Sequence, residues 1–156
     1  MRKVTDNLTP EKRKYNMRRI RSSNTKPEEK VRKYLYSKGF RYRKNDRRLP
    51  GCPDIVLPKY KTVILVNGCF WHKHDCSKFV WPSSNKDYWV PKIRRNVERD
   101  KRNMGLLMAD GWRVIVVWEC EVKRGVFLET MNRVISEIMK GDLRYGTSGF
   151  SNNKEN

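Results

Sequence analysis

Apolar residues recur along this chain with two periods, and the change of period marks the change of element. Val31, Tyr34 and Leu35 stand at i, i+3 and i+4, the spacing of one helical face. Asn24 or Thr25 can cap that helix, Pro27 falls in its first turn and Gly39 closes it. Three strand-like stretches follow: Phe40–Arg43, Asp54–Leu57 and Thr62–Asn67, the last with the β-branched run Thr-Val-Ile-Leu-Val of a buried strand. A second helix is expected from about Pro91 to Ala109, striped by Ile93, Val97, Met104 and Leu107. Trp112–Trp118 reads as another central strand. Phe127, Met131, Val134, Ile135 and Ile138 mark a C-terminal helix. Helix, three strands, helix, strand, helix predicts an α/β sandwich around a mixed sheet. Residues 1–24, whose main apolar content is Met17 and Ile20, form a basic arm; 25–140 form the domain; 141–156 read as a frayed tail.

Charge changes this picture most. Lys and Arg number 36 against 17 Asp and Glu, a formal net charge of +19 over 156 residues. Residues 1–48 hold 18 basic and 5 acidic side chains, a net +13 that leaves only +6 for the rest. A segment this one-sided repels itself, so a polyanionic partner is expected and the phosphates of nucleic acid are its natural chemistry. A solubilising coat usually mixes signs. No apolar run approaches the ~20 residues of a membrane span, and the polar start is no signal peptide. A cytoplasmic protein is therefore expected, in which four cysteines are metal ligands or spare thiols rather than disulfides.

Against that background, a few residues stand out. Glu28 lies three before Val31 and seven before Leu35, so it shares their inward face; it is a candidate working carboxylate, or an acid favoured by the helix dipole. Asp100 falls inside the apolar stripe of the second helix and needs a partner there. Leu-Pro-Gly-Cys-Pro delivers Asp54 to a strand start, where many nucleases hold Mg2+; a turn-capping Asp is the plainer reading. The partner strand offers Leu65-Val66-Asn67, with neither acid nor Lys, so a ligand from it must be a backbone carbonyl. A neutral His72 nearby can then act as the base. Cys69, His72, His74 and Cys76 lie within eight residues, and Cys120 follows another strand. Zinc takes four such ligands, and either His74 or His72 completes the set with the three cysteines. Cys52 is a bystander. Phe70-Trp71, followed by Trp81 and Trp89, can wedge between base pairs, although core packing is the usual fate of any single Trp.

Taken together, Asn16-Met17-Arg18, Leu49-Pro-Gly-x-Pro-Asp54, Gly68-Cys-Phe-Trp-His72, Lys92-Ile-x-x-Asn-Val-Glu-Arg-Asp100 and Val117-Trp-Glu-Cys120 resemble the very-short-patch repair (Vsr) endonucleases. The resemblance implies a restriction-endonuclease-like, three-layer fold with a structural zinc. It also implies an endonuclease that nicks one strand of double-stranded DNA 5′ to the T of a T·G mismatch, the product of 5-methylcytosine deamination. By position, Asp54 and the Val66 carbonyl would hold Mg2+, His72 would be the general base, and Glu28 and Asp100 would orient water around the ion or His72. Zinc would sit on Cys69, His74, Cys76 and Cys120. Phe70, Trp71 and Trp89 would wedge beside the mismatch, Met17 would enter from the opposite side, and Arg18 and Asn96 would contact DNA. A monomer working with mismatch-repair proteins in the bacterial nucleoid is implied too. The chain departs from the family pattern at Val66, where Thr is usual, and at Asn67, where His is usual. Two other readings of the residues are a restriction or transposon-type nuclease of the same fold and a non-catalytic, zinc-stabilised DNA-binding module.

Overall fold

A computed structural model of the chain describes residues 8–19 and 23–141; Ile20 and all but the first residue of the 141–156 tail lie outside the described residues. Two helices come first, α1 (Pro10–Arg19) and α2 (Lys26–Ser37), then strands β1 (Arg43–Lys44), β2 (Ile55–Leu57) and β3 (Thr62–Asn67). Helix α3 (Lys86–Ala109), strand β4 (Arg113–Trp118) and helix α4 (Phe127–Lys140) complete the fold. The sheet runs β1-β2-β3-β4, antiparallel at the first two junctions and parallel between β3 and β4. This is a mixed α/β architecture.

The period-2 alternation of the strands decides which helix covers which face. Ile55, Leu57, Ile64, Val66, Ile115 and Val117 face one way and bury Val31 and Leu35 of α2 together with Met131, Val134 and Ile138 of α4. Val56, Val63 and Val114 face the other way and pack on Leu107 of α3, with Leu49 and Trp112 closing the edge. Helices therefore cover both faces of the sheet, and β3, buried along most of its length, is the spine.

Two elements differ from expectation. The first strand is not Phe40–Arg43 but the two-residue Arg43–Lys44, because Phe40 turns into the core against Tyr60 (ring centroids 5.6 Å apart) and leaves an exposed edge strand behind it. Helix α3 begins five residues before Pro91, which sits inside it. That proline costs one main-chain hydrogen bond, but the extra turn carries Trp89 into the aromatic cluster described below, and ring burial outweighs the loss. Among the described residues, no helix is long and apolar enough to cross a membrane.

Ile64 has no solvent exposure at the centre of the spine. Ile64→Ala is expected to lower the unfolding free energy by ~2–5 kcal/mol in urea denaturation, whereas Val126→Ala at an exposed position should change it by less than ~0.5 kcal/mol. Equal effects would mean that the core does not lie where described.

Candidate active site

One cleft of about 800 Å³ opens between α2, the mouth of the β2–β3 pair and α3, and is lined by Glu28, Asp54, Val66, Trp71, His72, Asn96, Asp100 and Met17. Residues expected to work together from four separated segments thus share one space. Asp54 is delivered by a tight turn in which Gly51 has φ +74° and Cys52 φ 49°. A Cβ at Gly51 would stand 3.0 Å from the Asn103 amide nitrogen on α3, so the turn can approach that helix only with glycine there. Asp54 then stands just before β2, and its Oδ2 accepts a hydrogen bond from the Val66 main-chain N–H at 2.7 Å.

Glu28 reaches the same floor from the first turn of α2. The Thr25 hydroxyl accepts from the Glu28 N–H at 3.4 Å, and the Glu28 carboxylate accepts from the Asn24 N–H at 2.8 Å. The pair resembles a capping box displaced by one residue, so Glu28 is at once a helix-start acid and a cleft acid. Its charge is met by Arg32, one helical turn on, at 3.1 Å. Burial first, then the neighbouring Glu28 carboxylate, pushes Asp54 up to about 7, against the opposing pull of the Val66 amide and the Arg32 charge.

His72 and Asp100 meet on the opposite wall. The Asp100 carboxylate hydrogen-bonds Nδ1 of His72, and both side chains are about one-fifth exposed. A carboxylate on Nδ1 fixes the neutral tautomer with its proton there and leaves Nε2 as the basic nitrogen. Asp100 thereby has the partner that its place in an apolar stripe demands.

Beyond the cleft floor, the loop after β3 folds back on itself, with the His74 N–H donating to the Cys69 carbonyl at 2.9 Å. Ligand atoms of Cys69, His74, Cys76 and Cys120 all lie within 4.8 Å of one another, and His72 is not among them. His74 stacks flat on Trp118, ring centroids 4.0 Å apart, and its Nδ1 stands 3.5 Å from the Cys120 sulfur. Three sulfurs and an imidazole gathered this closely are a donor set compatible with a metal ion. Burial, and the thiols of Cys120 and Cys76 beside it, push the Cys69 thiol up to about 12.

The aromatic side chains do not simply stand outward. Phe70, Trp71 and Trp89 pack edge-on or tilted, with centroids 5.1, 5.5 and 5.8 Å apart. Trp89 is buried while Phe70 and Trp71 are half-buried, because three clustered rings hide more apolar area than three separate ones. The Asn96 side-chain amide donates to the Trp71 carbonyl at 3.1 Å and so pins this loop to α3. Arg18 lies on α1 beside a second groove of about 510 Å³, where Arg13, Lys14 and Lys92 surround Tyr88 and which shares Met17 with the main cleft. The buried Arg32 was not among the residues singled out from sequence, although its place four after Glu28 on the inward stripe is a readable signal.

Glu28, Asp54 and Asp100 thus share a cleft that is also lined by the basic side chains Arg47, Lys92 and Arg99, and the comparisons with known proteins place the chain in a class: the enzymes acting on DNA. The family of the DNA mismatch endonuclease Vsr matches residues 5–78. Over 136 residues, 86% of this chain and 97% of the relative, the chain is 52% identical to a type II nicking enzyme of Neisseria meningitidis serogroup A. It is 51% identical to a type II nicking enzyme of Xanthomonas oryzae pv. oryzae over 76% of the chain and 88% of the relative. Identity to the DNA mismatch endonuclease Vsr of Escherichia coli is 42%, over 79% of the chain and 77% of the relative. The chain belongs to the Vsr family of DNA endonucleases.

Burial of the Asp54 carboxyl makes the stability of the fold depend on pH. The carboxyl's folded-state value lies above the ordinary carboxylate range, so the stability it contributes is complete below about pH 4 and is lost as pH rises through about 7. Asp54→Asn cannot ionise but keeps an acceptor for the Val66 N–H. In Mg2+-free buffer the variant should therefore melt about 3 °C or more above the wild type at pH 8 and equal it near pH 4. A variant no more stable at pH 8 would show that the carboxylate is not under that strain.

Proposed function

We propose that the protein is a Mg2+-dependent endonuclease that nicks one strand of duplex DNA 5′ to the T of a T·G mismatch and so begins very-short-patch repair. The observation that carries this reading is the convergence of Asp54, Glu28, His72 and Asp100 on one cleft; a module that only bound DNA would have no use for it. Asp54 and the main-chain carbonyl of Val66 hold the ion, which supplies charge neutralisation at the phosphodiester when bound. His72 takes a proton from the attacking water at Nε2, with Asp100 fixing its tautomer, and Glu28 orders water beside Asp54. A carboxyl pushed up by burial and a like charge is suited to a divalent cation, which relieves both.

Zinc on Cys69, His74, Cys76 and Cys120 has a structural part in this proposal. Held by these four side chains, a zinc ion would tie the loop after β3 to the residues following β4, and His72 would stay outside its ligand set and free for chemistry. Phe70, Trp71 and Trp89 then open the base stack at the mismatch, Met17 enters from the other side, and Arg18 and Asn96 add contacts. Unstacking costs a few kcal/mol per step and least at a mismatch, so the wedge itself selects. The fold in this reading is restriction-endonuclease-like, with the basic 1–24 arm clamping phosphates. The enzyme works as a monomer in the bacterial cytoplasm, where mismatch-repair proteins are its expected associates.

A strand-resolved assay with T·G and fully paired duplexes tests the activity. Mg2+-dependent nicking of the T strand of the T·G duplex is expected, and Asp54→Ala should remove it while leaving duplex binding intact. Cutting of paired DNA would indicate a restriction-type nuclease, and two intact strands a binding module. For the second metal, the purified protein should carry about one equivalent of zinc. His74→Ala should lose it and His72→Ala should keep it; the reverse pattern would exchange the roles of the two imidazoles.

A further inference from the structure

One buried side chain has no place in that scheme. Arg32 is 3% exposed, and its guanidinium meets four acceptors from four segments of chain. Its Nη1 donates to the Asn24 side-chain oxygen at 2.8 Å. Its Nη2 donates to Glu28 at 3.1 Å, to the Asn45 side-chain oxygen at 3.2 Å and to the main-chain carbonyl of Asp54 at 2.9 Å. The Asn45 amide in turn donates to the Asn24 oxygen at 3.1 Å, closing the ring.

A salt bridge made only to hold α2 would need Glu28 alone, and a buried ion pair is in any case a poor source of stability. The other acceptors point to a different purpose. The guanidinium grips the carboxylate of one cleft acid and the backbone of the other, so it fixes the distance and the angle between Glu28 and Asp54. A planar fork with five donors can do this; a point charge cannot. Asn24 and Asn45, which hold the fork from outside, have φ of 55° and 46°, a left-handed backbone that Asn tolerates better than most side chains.

We propose that Arg32 is a positioning residue for the divalent-cation site: it sets the geometry of the Glu28–Asp54 pair and thereby the affinity for Mg2+. The proposal rests on the reading of Asp54 as a metal ligand. It assigns Arg32 no contact with DNA or with the ion. Asn24 and Asn45 serve it by keeping the fork from turning.

Two changes test it without altering net charge. Arg32→Lys keeps the cation and loses the fork. The double change Asn24→Gly with Asn45→Gly keeps the left-handed backbone and removes both outer anchors. Mg2+ binding is measured by calorimetry on the DNA-free protein in each case, beside the melting temperature in Mg2+-free buffer and the nicking rate across Mg2+ concentrations. Each variant should bind Mg2+ roughly 10-fold more weakly, in line with losses seen when a ligand's supporting partner is removed. Nicking at low Mg2+ should fall in step and recover in part at high Mg2+, with KM for DNA unchanged. Wild-type Mg2+ affinity in Arg32→Lys or in the glycine pair, with only the melting temperature lowered, would overturn the proposal and leave Arg32 a structural tie. A wild type that nicks yet binds no Mg2+ would overturn it by removing the ligand reading beneath it.

Discussion

The parallel pairing of β3 with β4 is the constraint on which both chemical centres hang. The two strands match residue for residue from Thr62 opposite Arg113 to Asn67 opposite Trp118. Because they run the same way, both chains leave the sheet at one edge, and two residues further on stand Cys69 and Cys120. An antiparallel pairing would have put Cys120 at the far end, and a slip of one residue would have turned alternate side chains to the wrong face. The antiparallel partner completes the arrangement. Ile55 lies opposite Ile64, so the residue before β2 arrives beside the end of β3, where the Val66 amide receives Asp54. A sulfur–imidazole cluster and a carboxylate floor thus form as two consequences of one register.

Charge is separated across this edge. The basic excess lies on α1, on the edge strand and along the cleft margins, while the floor is acidic and carries one buried guanidinium. A basic rim of this kind attracts a polyanion to the opening. The floor is held at a cost: Asp54 is pushed toward its neutral form by burial and by Glu28, and among the described residues the buried Nε of Arg32 has no hydrogen-bond partner.

Much of the fold was legible along the chain. The spine strand Thr62–Asn67 and the stripes of α2 and α4 follow from period and residue type, since burial on one face leaves that imprint. The short β1 and the early start of α3 were not legible. Phe40 leaves the strand for the core, and Trp89 draws a proline-containing turn into helix; both outcomes depend on partners distant in sequence, which local propensity cannot register.

At the site the division falls in the same place. The sequence by itself determined the kinds of groups available: a basic arm, acids on inward faces, and five sulfur or imidazole candidates around one loop. Only the tertiary structure decided which of them meet. His74 rather than His72 stands with the three thiols because the loop folds back through its own backbone hydrogen bonds, and His72 is left to pair with Asp100 on the cleft wall. Arg32 gathers four acceptors because three turns converge on one helix end. Residue type is written in the chain, but proximity between segments is set by strand register and packing, and register is a property of the assembled sheet.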